Sequence, residues 1–155
     1  MGGTPFIPPI KGIDLKGVNF LSTIDDARKI HDEEKNLKGK NAVIIGGGLI
    51  GIEVCESFVK QGMNVTIIEK MDRVLPALLD PEMAYHVHNE LQANNVTVLL
   101  NDAVVEIKGD DQGNVKSVKT TKTEVPSDLV LVAIGTKPNI TLAKQAGIAI
   151  GTTGA

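Results

Sequence analysis

Aromatic residues are nearly missing from this 155-residue chain, which has three Phe, one Tyr and no Trp. A single cysteine rules out an internal disulfide framework and any multi-cysteine zinc site. Basic residues do not predominate either: 16 Lys and Arg against 19 Asp and Glu leave a formal charge of −3. That excludes nucleic-acid binding through bulk positive charge, because neutralising phosphates requires clustered cations. No apolar run approaches the ~20 residues that span a bilayer. The opening Met1-Gly2-Gly3-Thr4-Pro5 lacks the basic-then-apolar layout of a signal peptide. Together these absences point to a soluble, cytoplasmic protein of about one domain's length. What is present is a hydrophobic fraction of 42%, enough for a core, and 16 glycines, above the average of ~7%.

The first twenty residues read as an extended surface segment, an odd beginning for an independent fold. Pro5, Pro8 and Pro9 fix φ and push their predecessors to extended geometry. Ser22 and Thr23 are N-cap residues, and Asp25 and Asp26 place acid in the first turn of a helix running to about Asn36. Ala42-Val43-Ile44-Ile45 is a continuous apolar run, as suits a strand buried on both faces of a parallel sheet, and Gly46-Gly47-Gly48 follows at once. A helix is expected over residues 49–61, with apolar positions at 50, 54, 55, 58 and 59 and Gly62 as its stop. Val65-Thr66-Ile67-Ile68 is a second buried strand ending at Glu69, which completes a βαβ unit in ~28 residues.

Asp80-Pro81 starts another helix, with Met83, Val87 and Leu91 as its apolar stripe and Asn94-Asn95 as its end. Residues 96–100 form a third strand. The period then changes to two over 104–108, 115–121 and 123–125, an antiparallel meander. Residues 129–134 return as a buried strand closed by Gly135, and Pro138-Asn139 starts a last helical turn. The expected fold is α/β: a Rossmann-like parallel sheet with flanking helices and an inserted antiparallel meander.

Gly46-Gly47-Gly48-Leu49-Ile50-Gly51 matches G-x-G-x-x-G. It follows a strand, opens a helix and has an acid at the end of the next strand, Glu69, 18 residues after Gly51. Gly46 allows the tight turn, Gly48 lets the backbone approach a pyrophosphate, and Gly51 permits close helix–sheet packing. The helix N-terminus offers unpaired N–H groups and a positive dipole end to phosphates. Glu69 is placed to accept from adenosine ribose hydroxyls. A tight βα turn beside a surface glutamate is the plainer alternative.

Glu69 also favours NAD(H) over NADP(H), because a 2′-phosphate would face its carboxylate at a cost of ~1 kcal/mol per charge pair in water. Lys70 and Arg73 oppose this if they cradle a phosphate; as solvated loop charges they have no such effect. Removing the Glu69 side chain is expected to weaken NADH binding, to narrow the preference over NADPH and to leave stability unchanged.

The glycine turn with Ile52-Glu53, then Ile67-Ile68-Glu69 and Asp72-Arg73-Val74-Leu75-Pro76, and finally Val132-Ala133-Ile134-Gly135-Thr136-Lys137-Pro138-Asn139 together resemble one group. It is the flavin-dependent pyridine nucleotide-disulfide oxidoreductases, especially the NADH oxidase and coenzyme A-disulfide reductase branch. The resemblance covers nearly the whole chain. It implies an NAD-binding domain over residues 21–150, inserted between two halves of an FAD-binding domain. Residues 1–20 would be the end of the first half and 151–155 the lead into the second.

By position, the resemblance puts Glu53 beside the nicotinamide, Val104 on the adenine side, and the backbone of Gly135 against the cofactor. FAD would belong to the parent enzyme, which would be a homodimer through a further domain. The resemblance assigns no catalytic residue to these 155 residues, since the family's FAD fingerprint and redox cysteine have no counterpart among them.

Cys55, among apolar residues of the first glycine-turn helix, reads as a packing residue. His86 and His88 lie two apart on a helix and so point to different faces, and His31 has no visible partner. No metal site is read. Two further readings stay open: an S-adenosylmethionine-dependent methyltransferase-like domain, which also uses a glycine turn and a strand-end acid, and a non-enzymatic NAD-sensing module.

Overall fold

The computed structural model describes residues 2–35 and 37–152. In chain order it has β1 (Gly3–Pro5), β2 (Val18–Phe20), α1 (Ile24–Glu34), β3 (Asn41–Ile45), α2 (Leu49–Lys60), β4 (Asn64–Ile68) and α3 (Pro81–Ala93). There follow β5 (Thr97–Leu99), β6 (Val104–Gly109), β7 (Val115–Thr120), β8 (Glu124–Pro126), β9 (Leu129–Val132), β10 (Thr136–Pro138) and α4 (Thr141–Gln145). Five strands form a parallel sheet in the order β2-β9-β3-β4-β5, and β6-β7-β8 form an antiparallel sheet. The α/β class, the parallel sheet and the meander are as the sequence predicts.

Both faces of the parallel sheet are covered, which explains why its strands read as unbroken apolar runs. Ala42 and Ile44 of β3, with Ile67, Leu129 and Leu131, pack against Phe58 and Cys55 of α2 and Ile30 of α1. Val43 and Ile45 point the other way and, with Ile68, Val130 and Val132, meet Ile107, Val115 and Val118 of the meander. Alternation along each strand therefore divides one apolar run between two cores.

Helix ends follow their local chemistry. Thr23 caps α1 through the Asp26 N–H at 3.1 Å, while Asp26 accepts from the Thr23 N–H at 2.8 Å, a reciprocal capping box. Asp80 caps α3 at the Met83 N–H, with Pro81 following it. The end expected for α1 at Asn36 lies outside the described residues.

Three expectations are corrected. Residues 1–20 are not simply a surface segment. β1 pairs with β10, and β2 is an edge strand of the parallel sheet with Val18 and Asn19 buried. Ile10, Ile13 and Leu15 pack on the meander-side core. Pro8 and Pro9 bar a regular ladder beyond β1, but the apolar residues after them still find cover.

The apolar stripe of α3 is also different: Met83 is 53% exposed and Ala84 is buried in its place. One residue turns a helix by about 100°, so a stripe through Ala84 and Leu91 leaves Met83 outside. Finally, the segment expected to start a helix at Pro138 is strand β10, and α4 begins only at Thr141. Of the segment 151–155, residues 153–155 lie outside the described residues.

Candidate functional site

β3, the central strand, ends at the glycine turn. Its crossover through α2 leads to β4 on one side, while β9 lies on the other. Such a switch in direction opens a crevice at the carboxyl ends of the strands. Gly46 has φ +107°, and a Cβ there would lie 2.5 Å from the Ala133 carbonyl oxygen. A Cβ on Gly51 would lie 2.2 Å from the Gly46 carbonyl oxygen, so α2 can sit this close to the turn only with glycine. Gly48 differs from both: a Cβ there meets no atom within 4 Å and would project into open space. Gly48 is also the N-cap of α2, and no side chain caps that end. The N-terminus of α2 thus has no side-chain cap and the backbone at Gly48 borders open space, as the approach of a pyrophosphate requires.

Glu69 is only 8% exposed. Its Oε2 accepts from the Gly47 N–H at 2.7 Å and its Oε1 from the Met71 N–H at 2.8 Å. The loop after β4 grips the turn a second time, where the Leu75 N–H donates to the Gly47 carbonyl at 2.8 Å. Leu75 holds φ +50°, an uncommon conformation for a branched residue, stabilised by this bond and by burial. Glu69 therefore organises the glycine turn as well as facing the cleft. This corrects the expectation that its removal leaves stability unchanged, since two backbone N–H groups would lose their acceptor.

A cleft of about 290 Å³ brings together Gly46, Glu69, Lys70 and Val104, with Asp102 and Ile10 among its other lining residues. Glu53 is not in it. That side chain, exposed on α2, lines a separate groove of about 460 Å³ between α2 and α3 with Glu56 and Glu90. The groove is the larger hollow but lacks both the glycine turn and the strand-end acid. Gly135 has φ +105° and its carbonyl accepts from the Phe6 N–H at 2.9 Å, which draws the proline-rich segment over the strand ends. Lys70 is exposed. Arg73 is partly buried and paired with Asp72 at 2.9 Å, so it is no freely solvated charge.

Cys55 is buried in the helix-side core, where burial pushes its thiol up to about 11. It packs and does not face the cleft. His86 is exposed beside the Tyr85 ring, and His88 is half-buried in a different cleft lined by Arg73. His31 does have a partner: its Nδ1 lies 2.8 Å from Oε1 of buried Glu34, one helical turn on. Spacing of three on a helix is the signal that reveals this pair. Asp102, Pro8 and Ile10 are among the cleft residues that sequence reasoning misses, with Ile45, Ile68, Ala103 and Ile134. Asp102 has a detectable signature, being a polar residue just past a strand end, as Glu69 is.

Among the described residues no helix is long and apolar enough to cross a membrane. The architecture is that of FAD/NAD(P)-dependent oxidoreductases. A solved NAD-dependent persulfide reductase from A. fulgidus aligns over 100% of this chain and 28% of its own, with TM-score 0.92 and 42% identity. A water-forming NADH oxidase from Lactobacillus brevis, solved with NADH bound, aligns over 99% of this chain and 33% of its own, with TM-score 0.89 and 27% identity.

The model of the pyridine nucleotide-disulphide oxidoreductase family matches residues 1–155, and the chain belongs to that family. It is 42% identical over 154 residues to an NAD(P)H coenzyme A polysulfide/persulfide reductase of Pyrococcus horikoshii, covering 99% of this chain and 34% of the relative. It is 37% identical over 150 residues to an NADH oxidase of Methanocaldococcus jannaschii, covering 97% and 33%. The chain thus spans about a third of the relatives it matches. Family membership decides against the methyltransferase alternative.

Proposed function

We propose that this chain binds NAD(H) as the NAD-binding domain of a flavin-dependent, cytoplasmic oxidoreductase, and presents NADH for hydride transfer to FAD in the full-length enzyme. One observation carries the reading. Gly46 of the glycine turn and the buried strand-end Glu69 line one cleft at the carboxyl ends of β3 and β4, and the N-terminus of α2 that follows the turn carries no side-chain cap. The coverage of a third of each relative supports a domain role, with residues 21–150 as the NAD-binding domain and 1–20 and 151–155 leading to the flavin-binding parts. The names of these relatives support NAD(P)H as the nucleotide.

In this reading Gly46, Gly47, Gly48, Leu49, Ile50 and Gly51 hold the pyrophosphate through backbone N–H groups. Glu69 accepts from the ribose hydroxyls with lone pairs left over from Gly47 and Met71. Lys70 and Val104 flank the adenosine end and the backbone of Gly135 meets the cofactor, while Glu53, which the family resemblance puts beside the nicotinamide, lies on α2 in the separate groove and outside this cleft. Hydride chemistry belongs to the cofactors, and these residues bind and orient. The partners are the flavin-binding part of the same parent chain and, through a further domain, a second copy of the parent.

Calorimetric titration tests this. NADH should bind saturably, with ADP-ribose and AMP as effective competitors, because the ADP half is the half that this chain grips. Nicotinamide mononucleotide competing better than ADP-ribose, or no NADH binding at all, overturns the reading. The purified chain should be colourless and should not consume NADH; stoichiometric bound FAD would overturn the division of cofactors.

A further inference from the structure

Two carboxylates stand in the cleft. Glu69 follows β4 and Asp102 follows β5, the next strand outward. The Asp102 N–H donates to the Glu69 carbonyl at 3.1 Å, so the acids occupy neighbouring strand ends. Asp102 is 2% exposed and its Oδ1 accepts from Thr121 Oγ1 at 2.7 Å. Burial alone would raise its carboxyl, but the hydrogen bond from Thr121, the neighbouring polar groups of Thr120 and Ala103 and the charge of Lys122 outweigh it. The net direction is below the ordinary carboxylate range, so Asp102 is charged at neutral pH. The described cleft-lining residues carry two acids and one base, Lys70, while Lys122, outside the lining, offsets part of the Asp102 charge.

A phosphate on the adenosine ribose would bring up to two negative charges into this cleft. A fixed charge acts on it across the low-dielectric interior without touching it. Resting on the dinucleotide reading above, we propose that Asp102 is a second specificity-determining carboxylate, which acts with Glu69 to disfavour a 2′-phosphorylated nucleotide. Glu69 would then account for only part of the selectivity, and Asp102 would contribute through charge rather than contact.

The test is titration of the 155-residue chain with NADH and NADPH, and the readout is the ratio of their affinities. Asp102→Asn keeps an acceptor for Thr121 and removes the charge. It should shift the ratio toward NADPH by about three- to tenfold. Thr121→Val removes the hydrogen bond and keeps the charge, so it should leave the ratio unchanged even if both nucleotides bind more weakly. Glu69→Gln should narrow the preference without abolishing it, and what is left should change little with ionic strength, because Asp102 is buried.

If Asp102→Asn leaves the ratio unaltered, or Glu69→Gln alone abolishes the preference, Asp102 only anchors Thr121 and the proposal is overturned. The Glu69→Gln arm decides the matter even if the Asp102 variant does not fold. A wild-type chain that binds neither nucleotide brings down the dinucleotide reading and this proposal with it; NADH binding with an unmoved ratio brings down this proposal alone.

Discussion

The turn after β3 and the loops after β4 and β5 shape one cleft by opposite means. The turn works through missing side chains: Gly46 and Gly51 press against backbone oxygens that a Cβ would strike, and Gly48 borders empty space. The two loops work through what their side chains carry, a buried carboxylate at Glu69 and another at Asp102. Yet the division is incomplete, because Glu69 reaches back to hold the Gly47 N–H. Within the turn itself a second contrast appears. Gly46 and Gly51 are required by the protein's own backbone, whereas no atom of the protein requires glycine at position 48. The environment of each Cβ thus separates the fold-determining glycines of the motif from the one left open.

The largest effect should come from Gly51→Val. With the first added carbon only 2.2 Å from a backbone oxygen, α2 must move away from the turn. We expect a loss of about 3 kcal/mol in denaturant unfolding, with NADH binding lost alongside. Unaltered stability would show that the helix retreats freely and that the contact does not matter.

Glu69→Ala comes next and breaks the contrast from the other side. Losing the acceptor for the Gly47 and Met71 N–H groups should cost about 1–3 kcal/mol. NADH affinity should fall roughly ten- to hundredfold in calorimetry. Glu69→Gln, which keeps one acceptor oxygen, should recover part of the stability.

Gly48→Ala sharpens the comparison most. Its φ of −80° suits alanine and nothing crowds the new methyl group, so unfolding free energy should stay within about 0.5 kcal/mol. NADH affinity should nevertheless fall about tenfold. Binding equal to wild type would mean that the backbone at Gly48 does not approach a phosphate.

The smallest effect concerns acid. Asp102 has a carboxyl lowered from its ordinary 3.8, so the stability it contributes is fully present above that value. It is lost as pH falls through the lowered value in the folded state. Denaturant melts from neutral pH to about pH 3 should show stability declining, and Asp102→Asn should make the decline shallower. Identical slopes would place the acid sensitivity in other carboxylates.

How much of the site could be seen in advance depended on sequence distance. The glycine turn, Glu69 and the βαβ unit lie within one short stretch and announce themselves through local spacing. Asp102 enters the cleft only because β5 pairs beside β4 and Thr121, just past the end of β7, bonds its carboxylate. Pro8 and Ile10 line the cleft because their segment packs on a core completed by residues from 99 to 132. Glu53 shows the reverse: its place on the motif helix was clear, but the helix turns it into the α2–α3 groove.

The amino-acid sequence by itself determined the strand–turn–helix chemistry: apolar runs for strands buried on both faces, Thr23 and Asp80 as caps, and glycine where backbone meets backbone. Those are local matters of dihedral freedom, hydrogen-bond capacity and side-chain period. Tertiary structure decided which face of the sheet the meander covers, that the first twenty residues supply both an edge strand and a cleft wall, and that Glu69 holds the turn it faces. Each of these depends on contacts between residues far apart in the chain, and periodicity within a segment carries no record of which distant surface will bury it.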